Sequence, residues 1–120
     1  MSRKKPDMSR DFRLYLEDVE VPCEKIIRFT TGLSASQFAE DEKTLDAVVR
    51  NLAVIGEAVK GLPVEMREQY DYVPWRKIAG LRDMVVHQYF GLDEEILWDI
   101  CKSQIPELLV NIKKVISEND

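Results

Sequence analysis

The sequence predicts an all-α fold, an up-and-down bundle of four long helices with one or two short ones, and three features of the chain lead to it. Apolar residues recur at three- and four-residue intervals over most of the 120 residues, which is the period of a helix with one buried face. No segment alternates apolar with polar residues as a half-buried strand does. The five glycines and five prolines fall mostly between those stretches, where they stop or open helices.

A chain of this length fits one domain and buries enough surface to fold without metal or disulfide staples. With 45% apolar and 32% charged residues it reads as an ordinary soluble helical domain, divided into a flexible tail over 1–8 and a helical domain over 9–118. No apolar run approaches the roughly 20 residues of a membrane span, and the start Met1-Ser2-Arg3-Lys4-Lys5-Pro6-Asp7 has no apolar secretion core, so a cytoplasmic protein is expected. Cys23 and Cys101 lack paired-ligand spacing and are expected to be small core hydrophobes. The net charge of −5 argues against a sequence-blind nucleic-acid coat, since phosphate affinity comes largely from Lys and Arg, but it leaves room for a local cationic cleft.

The elements follow in order. Ser9 can cap a first helix, with Asp11 in its first turn. Phe12, Leu16, Val19, Cys23, Ile26/Ile27 and Thr30 form its buried stripe; Pro22 is expected to interrupt or kink it, and Gly32 closes it. Ser34-Ala35-Ser36-Gln37 is a capping box for a short helix through Phe38. Leu45, Val48/Val49, Leu52, Ile55 and Val59 give the next helix one apolar face, with Gly61 as its stop. Arg50 and Glu57 lie two turns apart on the opposite face. They form either a solvated salt-bridge stripe or part of a cleft or subunit interface. Pro63 opens a short helix, Pro74 opens a longer one running to about Tyr89, and Gly91 breaks it. Asp93 caps the last helix, whose apolar face runs from Leu97 to Val115/Ile116 and which Pro106 is expected to bend.

Chemical promise concentrates in one stretch. His87 is the only histidine, and it follows Arg82 by five residues on the Pro74 helix. Imidazole moves protons near neutral pH, and a guanidinium can grip a phosphate. At 100° per residue, Ile78, Leu81, Met84 and Val85 share one side, while position 87 lies about 140° away, on the same polar side as Asp83. Arg82 sits at the edge of the apolar stripe, and Tyr89 nearly repeats its direction. A rise of about 7.5 Å separates Arg82 from His87, which a long arginine can span. Asp83 can orient His87, hold Arg82, or make only an exposed contact along the helix. Six of the ten aromatics (Tyr70, Tyr72, Trp75, Tyr89, Phe90 and Trp98) fall between 70 and 98, consistent with either core or a protein interface. There is no Gly-rich phosphate loop, no His-rich metal set and no nucleophile elbow, and Glu40-Asp41-Glu42 reads as a loop and cap. Neither cofactor nor metal is expected.

Residues 9–116 resemble the HepT-like (DUF86) branch of the HEPN superfamily, small helical proteins paired with minimal, MntA-type nucleotidyltransferases. The resemblance rests on Ser9-Arg10-Asp11 with Tyr15-Leu16-Glu17-Asp18, on Thr44-Leu45-Asp46-Ala47-Val48-Val49-Arg50-Asn51-Leu52 with Ile55-Gly56-Glu57-Ala58, on Val73-Pro74-Trp75-Arg76-Lys77-Ile78-Ala79-Gly80-Leu81-Arg82-Asp83, and on the Arg-x4-His-x-Tyr element of Arg82, His87 and Tyr89. The chain departs from the family at Pro22. The resemblance implies a homodimeric, metal-independent endoribonuclease, the toxin of a type VII toxin–antitoxin pair, with two Arg-x4-His elements meeting in one cleft. It implies that His87 is the general acid/base, that Arg82 stabilises phosphate charge, and that AMP transfer to Tyr89 by the nucleotidyltransferase antitoxin silences the enzyme. RNA is then the substrate. The alternative is a catalytically silent helical module that binds a nucleotidyltransferase or a nucleotide.

Overall fold

The structure, a computed structural model, describes residues 10–87 and 93–119. Four long helical segments and two short ones pack together, and no strand occurs among the described residues. The long ones are α1 (Arg10–Thr30), α3 (Glu42–Lys60), α5 (Trp75–His87) and a C-terminal segment; the short ones are α2 (Ala35–Glu40) and α4 (Val64–Gln69). The C-terminal segment comprises α6 (Glu94–Asp99), a π-helical turn over Ile100–Gln104, and α7 (Ile105–Glu118). The most extensive helix pairs are α3 with α5, α1 with α3, and α1 with α7, so α3 lies between α1 and the helix that carries Arg82.

The apolar stripes close into one core. Leu16, Val19, Cys23 and Ile26 of α1 meet Val48, Leu52, Ile55 and Val59 of α3 and Ile105, Leu108, Ile112 and Val115 of α7. Thr30 completes the α1 stripe, and its buried hydroxyl is satisfied by donating to the Ile26 carbonyl oxygen at 2.9 Å. Both cysteines are buried free thiols, as expected, and burial pushes each up to about 12.

Local signals act where the sequence places them. The Ser34 hydroxyl accepts from the Gln37 amide at 3.1 Å while the Gln37 side chain accepts from the Ser34 amide at 2.9 Å, the reciprocal capping box. Asp41 caps α3 by accepting from the Thr44 amide, and this bond with that from the Thr44 hydroxyl lowers its carboxyl below the usual range. Asp93 caps α6 by accepting from the Glu95 amide at 2.8 Å. Gly32 ends α1 region geometry with a left-handed φ of 82°. Gly61 stops α3 with an ordinary φ of −80°; its role is space, because a Cβ there would lie 2.6 Å from the Tyr15 ring. Ser9 and the 1–8 tail lie outside the described residues, as do Tyr89, Phe90 and Gly91.

Two prolines behave differently. Pro22 was expected to interrupt α1, yet the helix continues unbroken from Arg10 to Thr30. Proline in a helix interior costs about 3 kcal/mol. Unseating one half of α1 would expose Leu16 and Val19 or Cys23 and Ile26, at about 1.5–3 kcal/mol for each large aliphatic side chain. Packing wins. Pro106 lacks an N–H and would crowd the carbonyl one turn earlier, and the turn before it is widened: the Ile105 amide donates to Ile100, five residues back.

Two of the six aromatics between 70 and 98 lie in the core. Tyr70 and Trp75 are buried, and the Trp75 indole N–H donates to the Tyr70 carbonyl oxygen at 3.0 Å, fixing the entry to α5. Trp98 packs on Phe38 at 5.1 Å, and exposed Tyr72 carries Lys114 over its ring. Tyr70, Trp75 and Trp98 thus serve the chain's own packing, while Tyr72 stays exposed.

Candidate active site

The site begins with a glycine. At Gly56 the backbones of α3 and α5 approach so closely that a Cβ would lie 2.6 Å from the Arg82 Cβ and 2.7 Å from its amide nitrogen. Glycine alone permits this. The approach brings the end of α3 beside Arg82 and Asp83 and sets up a four-charge chain.

The Arg82 guanidinium is held at two corners. Its Nε lies 3.3 Å from Glu57 Oε2, and its Nη1 lies 3.4 Å from Asp83 Oδ1. The same Asp83 oxygen accepts from Lys60 Nζ at 2.9 Å. The Lys60 hydrogen bond, together with the charges of Lys60 and Arg82, lowers the Asp83 carboxyl below its ordinary value. Side chains in this chain are 38–68% exposed, and ion pairs that wet add little to stability. What the arrangement does is geometric. It fixes a guanidinium at the surface, with Nη1 hydrogen-bonded to Asp83, Nε in an ion pair with Glu57 and Nη2 without a partner among the described residues.

Arg82, Asp83, Glu57 and Arg50 each have a definite place; the side chain of His87 and all of Tyr89 lie outside the described residues. Arg82 is half-buried, at the edge of the apolar stripe that holds Ile78, Leu81 and Val85 in the core. Asp83 holds Arg82, one of the roles open to it. Glu57 joins the same chain, so it belongs with Arg82 and not in a stripe with Arg50, which is exposed and in no ion pair shown. α5 carries its backbone through His87. Tyr89 lies outside the described residues. Lys60 and Gly56 were missed as site residues. The signal was a lone glycine inside a strong helical pattern, which marks close backbone approach, with a cation one turn later.

Residues 19–115 match the family described as "Ribonuclease HepT-like". This chain belongs to the HepT-like ribonuclease family. A candidate RNase of Caldanaerobacter subterraneus subsp. tengcongensis is 42% identical over 106 residues, covering 88% of this chain and 95% of that one. A candidate RNase of Methanocaldococcus jannaschii is 41% identical over 109 residues, covering 91% and 90%. A protein named "Probable ribonuclease HepT" in Thermococcus cleftensis is 39% identical over 108 residues, covering 90% and 98%. No solved structure matches the chain. Among the described residues of this HepT-like protein, no helix is long and apolar enough to cross a membrane, and no group of three or more His, Cys, Asp or Glu side chains could hold a metal ion.

Proposed function

We propose that this HepT-like protein is a metal-independent endoribonuclease, the toxin of a toxin–antitoxin pair, and that Arg82 and His87 carry the reaction. One observation supports this most: a family-position arginine, clamped by Glu57 and Asp83, stands five residues before the only histidine on one helix. Clamping removes side-chain freedom before substrate arrives, so less is lost when a phosphate binds.

RNA brings its own nucleophile. The 2′-hydroxyl attacks the adjacent phosphorus while an imidazole removes its proton. The phosphorane's negative charge is met by the guanidinium, and the 5′-oxygen leaves with a proton from a general acid. The products are a 2′,3′-cyclic phosphate and a 5′-hydroxyl. Each chain holds one histidine, so a homodimer that brings two Arg82–His87 elements into one cleft supplies base and acid together. Asp83 and Glu57 position Arg82, and Lys60 steadies Asp83.

Control is placed at Tyr89. A minimal nucleotidyltransferase would transfer AMP from ATP to the phenol oxygen, releasing pyrophosphate and leaving a phosphodiester beside Arg82. That anion would compete with RNA for the guanidinium. Intact mass measurement of the chain co-expressed with such a partner should show AMP on Tyr89; full neutralisation with an unmodified tyrosine would rule this control out.

The catalytic reading is tested in cells. Expression of the wild type should arrest growth and degrade RNA, and His87→Ala should relieve both with helicity and dimerisation unchanged. Identical behaviour of the two proteins, with no RNA lost, would favour instead a silent module that binds a nucleotidyltransferase or a nucleotide.

A further inference from the structure

We infer that the hollow between α4 and the first turn of α5 is a phosphodiester-binding subsite that seats the RNA strand alongside the Arg82–His87 element. The inference rests on the ribonuclease reading and extends it to substrate binding. The hollow is open, with a volume of about 810 Å³, and its floor is apolar, formed by Val73, Pro74 and the edge of Trp75. Three cations stand around it: Arg67 from α4, and Arg76 and Lys77 from the first turn of α5. Glu68 and Asp71 also line it, but neither comes within ion-pair distance of those cations.

Arg67 is the informative member. Its Nε is buried and has no hydrogen-bond partner. A buried guanidinium N–H without an acceptor is uncommon, and it is satisfied most simply by an acceptor that arrives from outside. The contrast with Arg82 is direct: there two carboxylates hold the guanidinium, whereas Arg67 borders the hollow with no carboxylate within ion-pair distance among the described residues. Arg76 and Lys77 add two exposed charges without carboxylate partners among the described residues, and their amides occupy the N-terminal turn of a 13-residue helix, where the dipole favours anions.

Helix register ties the hollow to the catalytic element. Positions 83 and 87 lie about 20° to either side of position 76 on α5, and the span from 76 to 87 is about 16.5 Å. Between them on that side stand Ala79 and Gly80, and a Cβ built at Gly80 would meet nothing within 4 Å. A single strand of a few nucleotides can therefore run along this face from the hollow towards position 87, where Arg82, about 120° around the helix from Arg76, reaches a later phosphodiester with its long side chain. Local concentration of cation also explains how a chain of net charge −5 can hold RNA.

The test uses the full-length protein and a fluorescein-labelled 2′-O-methyl oligoribonucleotide, which lacks the attacking hydroxyl and reports binding alone. Arg76→Gln/Lys77→Gln changes two exposed residues, so folding should be retained, with circular dichroism as the check. The double variant should bind about tenfold more weakly at 100 mM salt. Its log–log salt dependence should be shallower by about 1.4, from roughly 0.7 per phosphate contact on single strands. On cleavable RNA it should raise KM with kcat unchanged. A wild type that does not bind the oligonucleotide, or a variant with unchanged affinity and salt slope, overturns the subsite. If only free AMP binding falls and oligonucleotide binding does not, the hollow is a nucleotide pocket and the strand-seating inference is wrong. Cleavage by the wild type with an unaltered variant removes the subsite alone. Binding loss in the variant of a wild type that never cleaves removes the catalytic reading alone.

Discussion

Gly56→Ala should separate α3 from α5 and lower both stability and the order of the Arg82 clamp. The new Cβ would stand 2.6 Å from the Arg82 Cβ and 2.7 Å from its backbone nitrogen, and neither can swing aside. Restoring ordinary contact near 3.5 Å means a displacement of roughly 0.8–0.9 Å, on the helix pair with the most extensive contact in the fold. Overpacking of this kind costs about 1–3 kcal/mol. Alanine in a helix regains up to about 1 kcal/mol over glycine. The net expectation is a loss of about 0–2 kcal/mol. Gly80→Ala is the internal reference, because its Cβ would meet nothing within 4 Å and should bring the propensity gain alone. Urea denaturation followed by circular dichroism should thus rank Gly80→Ala above wild type and place Gly56→Ala about 1–3 kcal/mol below Gly80→Ala. Equal stability of the two variants would refute the close approach on which the site geometry depends.

Two further outcomes follow from the structure. Cys23 and Cys101 are buried thiols pushed up to about 12, so neither should react with a thiol reagent at pH 8 in the native protein, and both should react in denaturant; prompt native labelling of either would contradict the packing of α1 on the C-terminal segment. Lys60 and Arg82 hold the Asp83 carboxyl below its unfolded value of about 3.9, so its stabilising effect is present above that pH and is lost as pH falls through the lower folded value. Asp83→Asn should therefore unfold at lower urea than wild type at pH 7, and the gap should close as pH falls through the lowered folded value; a gap that widens on acidification would reverse the sign of the coupling.

Much of the fold could be read from the chain because helix formation is local and periodic. The α1, α3 and α7 stripes, the Ser34–Gln37 box and the Asp93 cap each depend on residues within a few positions of one another. Prolines were harder, since their effect depends on what the rest of the fold holds in place. Pro22 is carried by burial on both sides of it, and Pro106 is accommodated by a widened turn whose position only the packed helix reveals. Arg82 and Asp83 stood out as types and spacing, but the partners that hold them, Glu57 and Lys60, come from a helix more than 20 residues away. Their convergence is a consequence of the Gly56 crossing, and pairwise spacing along one helix does not contain it. Among the aromatics, residue type left core and interface both open, and only burial assigns Tyr70 and Trp75 to the core.

The central claim is that Arg82, held ready by its carboxylates, serves a cut in RNA without a metal ion. Purified wild type and Arg82→Ala should be incubated with a defined RNA in excess EDTA, with the new ends identified by mass spectrometry. Fragments carrying 2′,3′-cyclic phosphate from the wild type, reduced at least about 100-fold in the variant, are expected. Intact RNA with the wild type, or equal cleavage by the variant, would contradict it.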